Sequence, residues 1–96
     1  MASIKNLKRD INFLTEEVVG TSFLHYHIQK GNEEKKKKID QIINEVLQLR
    51  EEVINQINNP GQISDKKKAK AHYNKLYTKM LEKINESFDS LSKISA

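Results

Sequence analysis

The amino-acid sequence predicts an all-α protein, an antiparallel up-down-up three-helix bundle of long amphipathic helices, which we expect to dimerise. Three observations predict this class. Apolar residues recur at spacings of three and four in three segments, the period of a helix buried on one side. Clusters of helix-ending residues separate the segments, and no segment alternates apolar and polar residues for long, as a strand would. Long helices joined by short loops favour antiparallel packing.

The first helix is predicted over about residues 3–30. Its apolar seam comprises Ile4, Leu7, Ile11, Leu14 and Val18 and continues through Thr21, His25 and Ile28. Gly20 leaves an alternative open, because it could break the helix and let Thr21 or Ser22 cap a new one. The seam keeps its phase across Gly20, which favours one continuous helix.

The second helix is predicted over about residues 33–58 and the third over about 65–94. Gly31 is placed to end the first helix, and Asn32 to cap the second. The run NNPG, residues 58–61, ends the second helix, and Ser64 or Asp65 begins the third. The apolar faces comprise Ile39, Ile42, Ile43, Val46, Leu49, Val53 and Ile57 on the second helix, and Tyr73, Leu76, Tyr77, Met80, Ile84, Phe88, Leu91 and Ile94 on the third.

Length and composition limit the classes of protein. The 96 residues are enough for one domain, residues 1–96, and the absence of cysteine excludes disulfides and thiolate metal sites. We see no signal peptide and no apolar run of the about 20 residues that a membrane span needs, so we expect a soluble, cytoplasmic protein with no membrane partner. The net charge of +4 lies in residues 60–96, which carry eight cations and four acids.

The main concentration of positive charge is a lysine-rich stripe on the third helix. On a helical wheel it comprises Lys68, His72, Lys75, Lys79 and Lys83. Such a stripe could bind anions and follow the phosphates of a nucleic acid, with Tyr73 and Tyr77 stacking on bases. The wheel, however, places both tyrosines on the apolar face, away from the lysines. This geometry favours a solvated helix face and leaves weak, sequence-independent nucleic-acid binding as the alternative function.

The remaining residues offer no catalytic chemistry. His25 and His27 diverge by about 200° on a helix, whereas a metal pair needs a spacing of three or four. The paired glutamates 16–17, 33–34 and 51–52 point apart, and no phosphate-binding loop or nucleophile motif occurs. We therefore expect no catalytic residues, no metal site and no cofactor, and we do not expect an enzyme.

Arg50 falls within the apolar face of the second helix, where an uncompensated charge is costly. Antiparallel pairing about the Gly31 turn brings residue 50 near residues 12–14, within a turn of Asp10. We predict a structural ion pair between Asp10 and Arg50 that fixes the register of the two helices. The other interpretation is that Arg50 extends its guanidinium to the rim.

A second apolar stripe on the first helix suggests the function. Val19, Phe23 and Tyr26 are spaced by four and three on a side away from the seam. With Leu24 and Ile28 they make this half of the helix apolar over most of its circumference, which calls for more neighbours than a three-helix bundle provides. We predict a homodimer interface at Val19, Phe23 and Tyr26. The predicted function is non-catalytic self-association or binding of an unidentified protein partner.

The segments IKNLKRDINFLTEEVV, residues 4–19, and KAHYNKLY, residues 70–77, resemble a family of small α-helical bacterial proteins with no assigned activity. The resemblance brings no catalytic motif. It implies a helical fold and no site residues.

Overall fold

The computed structural model describes residues 4–29, 31–61 and 65–95. Three helices account for nearly all of them: α1 spans Ile4–Ile28, α2 spans Glu33–Asn58 and α3 spans Lys66–Ser95. None of these residues forms a strand, so the all-α class predicted from the sequence is confirmed. The predicted ranges were 3–30, 33–58 and 65–94, of which residues 3 and 30 lie outside the described residues.

Helix α1 runs without a break through Gly20. A Cβ added at Gly20 would meet nothing within 4 Å, so no neighbour requires glycine there. The alternative of a second helix beginning at Thr21 or Ser22 is therefore wrong. Instead, the Ser22 hydroxyl donates to the Val18 carbonyl at 2.7 Å, a bond inside the helix.

The connections between helices follow from glycine and from capping side chains. Gly31 adopts φ of 85° after α1, and Gly61 adopts φ of 77° after α2, a region that glycine enters without steric cost. The Asn32 side chain accepts a hydrogen bond from the Lys35 amide at 3.1 Å and caps α2. Asp65 accepts from the Lys67 amide at 2.9 Å at the start of α3, and the other predicted start, Ser64, lies outside the described residues.

The three helices bury one shared core, and each helix contacts both of the others. The buried apolar side chains are Ile11 and Val18 of α1, Ile39, Ile42, Val46, Val53 and Ile57 of α2, and Leu76, Met80, Ile84 and Leu91 of α3. The chain extends over 54 × 20 × 18 Å. These dimensions and contacts are consistent with a bundle of three helices lying side by side.

Helix α1 contributes least to this core. Only two of its hydrophobic residues are buried, and the other buried positions on its inner face are Thr15 and Ser22. The Thr15 hydroxyl donates to the Ile11 carbonyl at 2.8 Å, so both polar side chains are satisfied within the helix. Helix α1 therefore contributes fewer fully buried apolar side chains than α2 or α3, and Leu7, Leu14, Val19 and Tyr26 complete its contact with the core.

Candidate interaction surface on the first helix

Helix α1 carries most of the large hydrophobic side chains that are exposed among the described residues. Seven large hydrophobic side chains are exposed among the described residues, and five of them belong to α1. The seven are Ile4, Phe13, Phe23, Leu24 and Ile28 of α1, Leu47 of α2 and Phe88 of α3. Single exposed apolar residues are ordinary, but a concentration on one helix marks a candidate interaction surface.

The stripe predicted from the sequence is divided by the fold. Val19 and Tyr26 are partly buried against the core, whereas Phe23 is 54% exposed. The Lys36 ammonium lies 5.0 Å from the centre of the Tyr26 ring, so an α2 side chain covers that ring. Phe23 lies roughly 40–60° further round the helix than the other two, which places it at the outer edge of the contact between α1 and α2. Phe23 alone of the three presents a mostly exposed side chain.

Phe23 borders a shallow groove between α1 and α2. Its apolar part is formed by Val19, Gly20 and Phe23 of α1 and by Leu47 of α2, which is 40% exposed. Its polar part is formed by Asn12, Thr15, Glu16 and Arg50. The groove is therefore amphipathic, with apolar side chains at one end and one charge of each sign at the other.

Arg50 occupies the polar part of this groove and is held there by a neutral partner. Its Nε donates a hydrogen bond to Asn12 Oδ1 at 2.6 Å, and the arginine is partly buried. The predicted pair with Asp10 does not appear among the ion pairs of residues 4–29, 31–61 and 65–95, and Asp10 is exposed. Asp10 and Asn12 lie about 200° apart on a helix, so only one of them can face α2.

A second depression adjoins the groove along α1. It is lined by Ile4, Lys5, Lys8, Arg9, Asn12, Phe13 and Glu16. Asn12 and Glu16 line both depressions, so together they form one continuous strip along α1. We call this strip the α1 face, meaning the residues of both depressions.

The lysine stripe of α3 is divided in a similar way. The Lys83 ammonium lies 3.2 Å from Glu45 of α2 and 3.5 Å from Glu86, and the side chain is only 19% exposed. The His72 Nε2 atom lies 3.4 Å from the Gln56 carbonyl oxygen. Lys68, Lys75 and Lys79 are exposed and form no ion pair within the part of the chain that the structure describes. Tyr73 and Tyr77 pack against the core instead of lying beside these lysines.

The other candidate chemistry is not assembled by the fold. His25 is partly buried and His27 is exposed on α1. No three histidine, cysteine, aspartate or glutamate side chains come together as a metal site within the described ranges. None of the described helices is both long and apolar enough to cross a membrane.

No protein-family model, curated protein or solved structure matches this chain.

Sequence reasoning overlooked Phe13, Leu47 and Asn12, which all line the α1 face. A helical wheel gives the missing signal for Phe13, because it places this aromatic about 150° from the middle of the α1 seam. An aromatic residue in that position is exposed unless something else covers it. Leu47 lies similarly outside the apolar face of α2, beside the groove.

Proposed function

We propose that this chain is a non-catalytic association module of the cytoplasm that forms a homodimer through the α1 face. The observation that carries the proposal is that three of the five exposed large hydrophobic side chains of α1, Ile4, Phe13 and Phe23, lie on the α1 face together with Leu47 of α2. A surface of this kind gains stability when another surface removes it from water. A second copy of the chain is the simplest partner, because a two-fold axis lets one surface cover its own copy. An unidentified protein is the other partner that this surface would suit.

The proposal includes the antiparallel up-down-up order of the helices. Two contacts between α1 and α2 support it, Asn12 with Arg50 and Tyr26 with Lys36. As the residue number rises along α1, the number of its partner falls along α2. The contacts of α2 with α3 show the same reversed order, since Glu45 contacts Lys83 and Gln56 contacts His72. Opposite directions of numbering are what neighbouring antiparallel helices produce.

Small size supports association as well. A domain of about 100 residues buries a smaller fraction of its surface than a larger one, and small domains are commonly stabilised by disulfides, metals or partner subunits. This chain contains no cysteine, so a disulfide cannot supply that stabilisation. A dimer that covers Phe13 and Phe23 would do so by adding apolar burial.

Sedimentation of three proteins tests the dimer. We expect the wild type to sediment as a dimer and Phe23→Glu as a folded monomer, because a carboxylate would replace an aromatic side chain in the interface. Gln48→Glu is the control, since it adds the same charge at an exposed position of α2 outside the α1 face. It should remain dimeric. A wild type that is monomeric at high micromolar concentration would refute self-association. Loss of helical signal in Phe23→Glu would assign that residue to the monomer core.

Weak, sequence-independent nucleic-acid binding is the second candidate function. The observation that favours it is the set of three exposed lysines without ion pairs on α3, described above. Loss of Lys83 and His72 to contacts with α2 shortens the stripe, and the inward position of Tyr73 and Tyr77 removes the stacking platform. Self-association is therefore the better supported proposal.

A further inference from the structure

The groove between α1 and α2 contains one cation and one anion that have no ionic partner. Arg50 and Glu16 line the same groove, yet neither makes an ion pair within 4.0 Å among the residues described. The guanidinium has five N–H donors in a fixed plane, and the bond to Asn12 uses the one on Nε. The bond also restrains the orientation of the plane. Four N–H donors of Arg50 therefore remain for a carboxylate that enters the groove.

We propose that Arg50 of each copy pairs with Glu16 of the other copy across the dimer, an inference that rests on the proposed self-association. A two-fold axis generates this pair twice, because residue i meets residue j and residue j meets residue i. The groove is complementary to itself in charge. It is not complementary to a simple anion, which Glu16 would repel, or to a simple cation, which Arg50 would repel.

The spacing of the two groups defines where the axis crosses. Arg50 lies beside Asn12, and Glu16 lies one helical turn further along α1, about 6 Å away at 1.5 Å per residue. A two-fold axis perpendicular to α1 near residue 14 exchanges these two levels. The two α1 helices then run in opposite directions, and each Arg50 stands at the level of the other copy's Glu16.

The same axis also brings Phe13 and Phe23 against surfaces of the other copy that can cover them. Phe13 lies beside the axis and meets its own copy. Phe23 lies nine residues from the axis, about 14 Å, and reaches the level of residue 5 in the other copy. That level is the second depression, where Ile4 and Lys8 can receive the ring. One arrangement therefore uses both depressions, with the Arg50–Glu16 pairs in the groove and Phe23 in the second depression.

Charge reversal tests the pair with two single variants, Arg50→Glu and Glu16→Arg. Each alone should weaken the dimer at least about tenfold, since both symmetric pairs become like-charged. An equimolar mixture of the two variants should restore a dimer, because every contact between copies is then between opposite charges. Native mass spectrometry should identify it as the heterodimer. Glu17→Arg makes the same charge change on the neighbouring exposed residue and should leave the dimer unchanged.

The outcomes separate the ion pair from the dimer itself. A wild type that is monomeric overturns both proposals. A wild-type dimer that persists in both single variants overturns only the Arg50–Glu16 pair. Recovery in the double variant Glu16→Arg/Arg50→Glu, without recovery in the mixture, places the pair within one copy and also overturns it. If Arg50→Glu loses the helical signal, the dimers of Glu16→Arg and Glu17→Arg are compared instead. Equal weakening of the dimer in these two variants overturns the pair.

Discussion

At the scale of single residues, the most informative contact joins Arg50 to Asn12. A charged donor and a neutral amide acceptor form it across α1 and α2, where the sequence suggested an ion pair with Asp10. The sequence was enough to indicate that Arg50 needs a partner on α1, since a charge in an apolar face is costly. It was not enough to choose between residues two apart, because that choice depends on the rotation of α1 about its own axis.

We expect Asn12→Ala to lower the free energy of unfolding by about 1 kcal/mol, because it leaves the Arg50 Nε–H without its acceptor. Asp10→Ala should change it by less than about 0.5 kcal/mol, since Asp10 is exposed and distant from Arg50 round the helix. Urea unfolding at one low protein concentration measures both. A large loss in Asp10→Ala with none in Asn12→Ala would restore the Asp10–Arg50 pair.

At the scale of the helices, Gly20 separates the stability of α1 from its role in association. We expect Gly20→Ala to stabilise the chain by about 0.5–1 kcal/mol, because alanine has the higher helix propensity and the added methyl meets nothing within 4 Å. The same methyl would project from the α1 face and should weaken the dimer. Urea unfolding measures the first effect and sedimentation the second.

Gly31→Ala is the matched comparison for Gly20→Ala. Gly31 has φ of 85°, where a Cβ is strained, so alanine should destabilise the chain by about 1 kcal/mol. If Gly20→Ala also destabilises the chain at a concentration where the wild type is monomeric, α1 is not the uninterrupted helix described above.

Helix α3 allows a direct test of the alternative function. We expect no micromolar binding of the wild type to duplex or single-stranded nucleic acid at low salt, because the aromatic side chains needed for stacking lie in the core. Fluorescence anisotropy with labelled oligonucleotides measures this. Binding that falls by roughly 0.9 log units per log unit of salt for each phosphate contact, and is lost in Lys68→Glu/Lys75→Glu/Lys79→Glu, would instead support the alternative.

The helices could be predicted better than their outward surfaces. The spacing of apolar residues and the capping residues are properties of a single segment. The Asn32 cap and the apolar seams could therefore be predicted from the sequence alone. The burial of Val19 and Tyr26 could not be predicted in this way, because it depends on which side of α1 faces α2. Both side chains cover that contact, and Phe23 is left outside it. A stripe drawn on one helix cannot distinguish these cases until its neighbours are placed.

At the scale of the whole molecule, we expect the stability of the chain to depend on the proposed association through α1. This helix has only two fully buried hydrophobic side chains, and its buried Thr15 and Ser22 hydroxyls donate hydrogen bonds to carbonyls of the same helix. It also carries the exposed Phe13 and Phe23 and forms one side of the groove that contains Arg50. Dimerisation through the α1 face would therefore add apolar burial to the helix that has the fewest fully buried hydrophobic residues. Such a chain gains part of its folding free energy from its own concentration.

We expect the thermal midpoint of the wild type to rise with protein concentration. For a dimer that unfolds to two chains, a tenfold increase adds about 1.4 kcal/mol per dimer, or about 0.7 kcal/mol per subunit. For a chain of this size that corresponds to roughly 3–6 °C per tenfold. Circular dichroism melts over a hundredfold range of concentration measure the shift. Phe23→Glu, the expected monomer, should melt at one temperature throughout that range and lower than the wild type at high concentration. A wild-type midpoint that does not move would mean that α1 is stable without a partner, and the exposed phenylalanines would then require another explanation.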